Sequence, residues 1–135
     1  MPGDIQRLRE LLREGKCCAV ALVQLGLESV HEVDDRLLQV VSGLCGGVRS
    51  GLLCGALTGA ACMLNVLDPQ NADGRLVPEL TEWFVERALD EFGGANCADI
   101  LDGDPANRAM RCPALIEATY LQALEILRKY GREFA

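Results

Sequence analysis

Histidine occurs once in this sequence, aromatic side chains make up 4% of it, and no two cysteines stand in a C-x-x-C spacing. Each scarcity removes a class of protein. One histidine, His31, cannot complete a zinc site of two cysteines and two histidines. Without C-x-x-C, neither a thioredoxin-type motif nor a zinc ribbon is supported. Few aromatic rings beside abundant Leu, Ala and Val disfavour a β-sandwich and suit helices packed through aliphatic side chains. Basic residues are outnumbered, 13 against 20 acidic ones, for a formal net charge of −7. That balance offers no electrostatic footprint for a phosphate backbone, so nucleic acid is not an expected partner. The longest apolar run, Leu52 to Leu67, is broken by Thr58 and Asn65. It falls short of the roughly 20 residues of a membrane span, so none is expected. The opening Asp4-Ile5-Gln6-Arg7-Leu8-Arg9-Glu10 is unlike a secretory signal, and a cytoplasmic location is expected.

What is present is a chain of 135 residues, 50% of them hydrophobic. That length suits one domain over residues 1–135 that buries its core without help from disulfides. The apolar spacing predicts an all-α, compact helical bundle of about five to seven helices with a glycine-rich loop. Ile5 to Leu12 form a first helix capped by Asp4 and stopped at Gly15. Cys17 to Leu27, almost wholly apolar, reads as a helix at the centre. Ser29-Val30-His31-Glu32 has the form of a capping box opening a third helix that runs to Gly43. Gly43 to Gly51 is a loop; it lacks the G-x-x-x-x-G-K-[ST] pattern of a phosphate loop. Helices follow over Gly55 to Leu67, Leu76 to Phe92, Cys97 to Leu101 and Pro113 to Tyr130. Gly51, Gly55 and Gly59 form a ladder that lets another backbone approach. Glu79, Glu82, Glu86, Asp90 and Glu91 read as a solvated helix face.

Seven cysteines, an odd number with no export signal, point to reduced thiols, ligands or reactive groups rather than to a stapling framework. Four of them begin helices on this map: Cys18, Cys54, Cys97 after Asn96, and Cys112 before Pro113. A helix start presents unpaired N–H groups and partial positive charge, so sulfur there is favoured as thiolate, which is the nucleophilic and metal-binding form. Converging starts would also suit an iron–sulfur cluster. Cys17, Cys45 and Cys62 are expected to pack as small hydrophobes, although the glycine loop gives Cys45 a route to Cys54.

Cys18-Ala19-Val20-Ala21-Leu22, the glycine loop leading into Cys54-Gly55-Ala56-Leu57-Thr58-Gly59, then Cys97 and Cys112-Pro113 together resemble the C-GCAxxG-C-C family of putative redox-active proteins. The likeness runs from about Leu8 to Leu127. It implies a helical fold and a redox role centred on Cys18, Cys54, Cys97 and Cys112, without naming a substrate. The doubled Cys17-Cys18 and the added Cys45 and Cys62 depart from that pattern. The expected function is redox activity through those four sulfurs, as thiol–disulfide pairs or as iron–sulfur ligands for electron transfer. The chain would then be an oxidoreductase or electron-transfer protein meeting a redox partner protein or a small-molecule electron carrier, with a homo-oligomer as one possible state. Gly46, Gly47 and Gly55 are candidates for close backbone approach to a cofactor. The competing reading is a four-cysteine zinc module or a non-catalytic accessory or interaction protein.

Overall fold

Two helices carry so few polar residues that they can only be interior, and they form the centre of the molecule. The computed structural model describes residues 2–131. Along the chain run α1 (Pro2–Arg13), α2 (Cys18–Ser29), α3 (Asp35–Val41), α4 (Gly55–Leu67), a single turn α5 (Pro69–Asn71), α6 (Val77–Phe92), α7 (Cys97–Leu101) and α8 (Asn107–Lys129). The chain is all-α: among the described residues the only β pairing is an isolated antiparallel bridge between Leu53 and Asn96.

The central pair is α2 and α4, with α1, α6 and α8 packed around them. One face of α2 (Ala21, Leu22, Leu25) joins α4, α6 and α8 in the larger core, which holds Phe84, Ile116 and Tyr120. Its opposite face (Ala19, Val20, Val23, Leu27) meets Val41 of α3 and Cys45 in a smaller one. Each fully buried aliphatic or aromatic side chain contributes about 1.5–3 kcal/mol, so serving two cores makes α2 the element the rest depends on. Ion pairs tie the periphery together: Arg7 reaches Glu28 with two bonds of 2.9 Å from α1 to α2, and Lys129 and Tyr130 both donate to Glu79 of α6. Glu82, Glu86, Asp90 and Glu91 are exposed, as a solvated face requires.

The glycines of α4 explain the central crossing. A Cβ on Gly59 would lie 2.5 Å from the Ala19 Cα, so the two backbones meet there without a side chain between them. A Cβ on Gly55 would lie 3.5 Å from the Ala19 nitrogen and from the Cys18 Cβ, which is ordinary contact. Gly51 is outside this ladder and faces Ala98 of α7 instead.

Three local expectations are corrected. Ser29 does not open a capping box. It ends α2 with its hydroxyl on the Leu25 carbonyl, and His31 turns the chain at φ +59°. The cap of α3 is Asp34, which accepts from the Leu37 N–H at 3.0 Å, because an ionised carboxylate beside a free N–H outcompetes a hydroxyl that can bond back into its own helix. Asp4 lies inside the first turn of α1 rather than before it. Finally, α8 does not start at Pro113 but at Asn107, placing Pro113 in its interior. Proline there leaves the carbonyl four residues back unpaired; that residue, Ala109, is exposed, so water can take the bond.

Candidate functional site

Four of these helices, α2, α4, α7 and α8, each deliver one sulfur to the same place. Cys18 is the first residue of α2 and Cys54 the N-cap of α4. Cys97 is the first residue of α7, and Cys112 lies one turn into α8. All four line one enclosed cavity, together with Ile100, Leu101 and Arg108. The expectation that each begins a helix holds for the first three and fails for Cys112, because α8 continues upstream of Pro113.

Two backbone features bring them together. The Gly55–Ala19 approach sets Cys18 beside the start of α4. The Leu53–Asn96 bridge does the same for Cys97: the Cys54 N–H donates to the Ala95 carbonyl at 3.0 Å, and the Cys97 N–H to the Leu52 carbonyl at 2.7 Å. A bridge of a single residue pair has no period-two pattern to betray it, so it is invisible in the sequence.

Protonation within the cavity is uneven. The Cys54 thiol donates to Cys97 and is itself buried, which holds it far above the ordinary thiol range. Cys97 receives that bond, and a further one from the Gly55 N–H. With Arg108 nearby, these pull it down to about 6 against the opposing cost of burial. Burial, followed by its neighbours Cys112 and Cys97, pushes Cys18 up to about 12. Burial also raises Cys112, with Arg108 opposing. The expected thiolate character at four helix starts is therefore found at one. Desolvation disfavours a charge more than one helix terminus favours it, and only Cys97 has several donors directed at it. Arg108, one turn before Cys112 on α8, is a residue that sequence reasoning missed. Its spacing becomes informative only once the helix is known to begin at Asn107.

Two further cysteines border the cavity. Cys17, the N-cap of α2, and Cys45, which follows the turn Ser42–Leu44, are joined by a disulfide with their Cα atoms 5.8 Å apart. They are not the packing thiols expected, and Cys45 pairs with Cys17 rather than Cys54. The signal available was positional: both extra cysteines flank pieces of the four-cysteine pattern. Cys62 is a free thiol against the smaller core and does not line the cavity.

The glycine loop stands beside the sulfurs. Gly46 and Gly55 line the cavity, whereas Gly47 packs its α-carbon against the backbone of Leu52 and does not. Gly46, Gly47, Val48 and Arg49 all have φ between +51° and +64°. This left-handed turn delivers Arg49 to an open cleft of about 570 Å³ that also holds Cys17, Cys45, Cys97, Asp104 and Arg108.

Thiolates suit an iron–sulfur cluster or zinc, but the cavity between these sulfurs amounts to about 20 Å³, near what one water requires. Among the described residues no three His, Cys, Asp or Glu side chains surround a single ion position. A cluster or zinc would require these sulfurs to move apart and to release their protons on binding. No helix of the described residues is long and apolar enough to cross a membrane.

No curated protein and no solved structure shows significant similarity to the chain. A profile of the family described as "Putative redox-active protein (C_GCAxxG_C_C)" matches residues 16–126. That span includes the cavity's four cysteines, the glycine loop and the disulfide, and the chain belongs to this C-GCAxxG-C-C family.

Proposed function

We propose that this protein is a thiol–disulfide redox protein whose reacting pair is Cys54 and Cys97. The observation that carries the reading is the Leu53–Asn96 bridge, whose flanking backbone bonds seat Cys54 and Cys97 in one cavity; the direction of their thiol shifts, Cys54 up and Cys97 down, agrees with it. Cys97 is half-buried and faces the open cleft as well as the cavity, so an incoming disulfide can reach it; Cys54 is only 1% exposed. Nucleophile and resolving thiol are thus separated by access.

In the forward direction the Cys97 sulfur attacks one sulfur of a partner's disulfide, forming a mixed disulfide and expelling the other sulfur as thiolate. Cys54 passes its proton to that thiolate and attacks the Cys97 sulfur. The Cys54–Cys97 disulfide forms, the second partner thiolate leaves, and two electrons have moved to the partner. Arg108 steadies the negative charge at Cys97 throughout. Cys18 and Cys112 stay protonated and keep that charge localised.

The test is peptide mapping of the protein after reaction with a small aromatic disulfide, with free thiols blocked by alkylation. A Cys54–Cys97 link is expected, with Cys54→Ser halting at a mixed disulfide on Cys97. Oxidation that spares both residues would sink the reading. Stoichiometric iron in protein isolated without oxygen would replace it with a cluster, and stoichiometric zinc with a four-thiolate metal module.

A further inference from the structure

We propose that Cys17–Cys45 is a second redox pair, exchanging electrons with Cys54–Cys97 and presenting them at the surface. The proposal rests on the reading of Cys54 and Cys97 as the reacting pair and adds a route to it. Neither Cys17 nor Cys45 belongs to the four-cysteine pattern that defines the family.

Position is the argument. Cys17 and Cys45 line the inner cavity, the 570 Å³ cleft, and a further open cleft of about 490 Å³ that runs between α2 and α3. The disulfide therefore forms part of the wall between the buried sulfurs and the outside. Cys97 shares two of those three spaces with it, the cavity and the larger cleft. The reactive thiolate and an existing disulfide thus stand in one enclosure, where exchange needs no partner to enter. Arg49 and Arg108 line the larger cleft beside a single carboxylate, Asp104, so thiolates released from Cys17 or Cys45 emerge into a net positive setting, which lowers a thiol's pKa.

The exchange balances without an outside oxidant. The Cys97 thiolate attacks one sulfur of the Cys17–Cys45 bond, which breaks, giving a mixed disulfide and one thiolate. Cys54 gives that thiolate its proton and attacks the Cys97 sulfur, releasing the second. The products are a Cys54–Cys97 disulfide and, at Cys17 and Cys45, one thiol and one thiolate; the negative charge and two electrons have moved from the inner pair to the outer. A disulfide-bearing partner docked in the larger cleft can then reoxidise Cys17 and Cys45, so the inner thiols never need to meet it.

Cys54→Ser removes the resolving thiol and should trap the intermediate. With the protein held anaerobically, quenched in acid, alkylated and digested without reduction, mass spectrometry is expected to find Cys97 linked to Cys17 or Cys45. An intact Cys17–Cys45 link beside an alkylated Cys97 would overturn the proposal. The paired variant Cys17→Ala with Cys45→Ala gives a second reading that does not depend on trapping. Oxidation of Cys54 and Cys97 by a protein-sized disulfide substrate, such as oxidised thioredoxin, is expected to slow by about tenfold or more, since attack must then pass directly to Cys97. An unchanged rate would remove the relay while leaving Cys54 and Cys97 as the reacting pair. If those two fail to oxidise in either chain, the underlying reading falls and the relay with it.

Discussion

Adding one methyl group to α4 at Gly59 should loosen the molecule, while adding it at Gly55, one turn earlier, should not. The alanine Cβ at Gly59 would stand 2.5 Å from the Ala19 Cα, 3.0 Å from its carbonyl oxygen and 3.2 Å from its carbonyl carbon. These are backbone atoms of α2, which cannot swing aside as a side chain does, so the helices must part by about an ångström to restore carbon contacts near 3.5–4.0 Å. Overpacking of this kind costs about 1–3 kcal/mol. The better helix propensity of alanine returns about 0.5–1 kcal/mol, so a net loss of up to about 2.5 kcal/mol, centred near 1, is expected. For a chain of this size each kcal/mol is worth about 3–5 °C in Tm. Gly59→Ala should therefore melt several degrees below the parent, read by far-UV circular dichroism. In Gly55→Ala the nearest atoms are 3.5 Å away or more, so no overpacking offsets the propensity gain and Tm should equal the parent's or exceed it by up to about 5 °C. A Gly59→Ala protein as stable as Gly55→Ala would refute the close crossing and, with it, the account of how Cys18 reaches the start of α4.

The remaining expectations concern charge and local backbone. Alkylation of Cys97, followed by mass spectrometry across pH, should rise through a midpoint near 6 in the parent, and Cys54→Ala should move that midpoint toward the ordinary thiol value of about 8.5. The same pair should shape stability. Cys97, depressed when folded, adds stability that is present above the unfolded thiol pKa and fades as pH falls through about 6, whereas Cys54, raised when folded, adds stability below the unfolded pKa that is lost as pH climbs past it. Denaturant titrations should accordingly find the pair's contribution largest at mildly alkaline pH, and Cys97→Ala should flatten that profile. Val48, at φ +58° and 53% exposed, gives up little packing if replaced. Val48→Gly should raise stability by up to about 1 kcal/mol, as relief of left-handed strain exceeds the entropy glycine adds to the unfolded chain. Asp34→Ala should cost about 1 kcal/mol by uncapping α3, measured as a lower denaturation midpoint.

Elements whose identity rests on apolar spacing were legible in the sequence. The bounds Gly55 to Leu67 and Cys97 to Leu101 match α4 and α7 residue for residue, and α6 starts one residue after Leu76. In each case an apolar run is set off by punctuation whose geometry the structure uses, as at Gly93, which ends α6 at φ +81°. The misses lie where two local rules compete. Ser29 and Asp34 are both good caps, and the outcome turned on whether α2 would extend to absorb the serine, which its packing into two cores decides. Pro113 is a favoured first helical residue, yet Asp104 accepts the Ala106 N–H at 3.0 Å and Asn107 donates to the Leu101 carbonyl at 2.7 Å, which starts the helix six residues sooner.

The convergence of Cys18, Cys54, Cys97 and Cys112 was likewise within reach of the sequence, but their inequality was not, because it comes from who donates to whom in a space of about 20 Å³. Two unit charges about 4 Å apart at an effective dielectric of 20 repel by roughly 4 kcal/mol, close to three pKa units. With Cys97 already ionised, a second thiolate in the cavity is therefore opposed by its neighbour as well as by burial, and Cys18 shows both effects. The neighbour's share of that opposition disappears at one moment in the proposed cycle: once the Cys97 sulfur is tied up in a mixed disulfide it carries no charge, and Cys54 no longer has a thiolate to which it donates. Ionising Cys54 is then opposed by burial alone, and only then is there a bond for it to attack. The charge that makes Cys97 reactive thus keeps Cys54 inactive until Cys97 has reacted, so the order of the two steps follows from electrostatics.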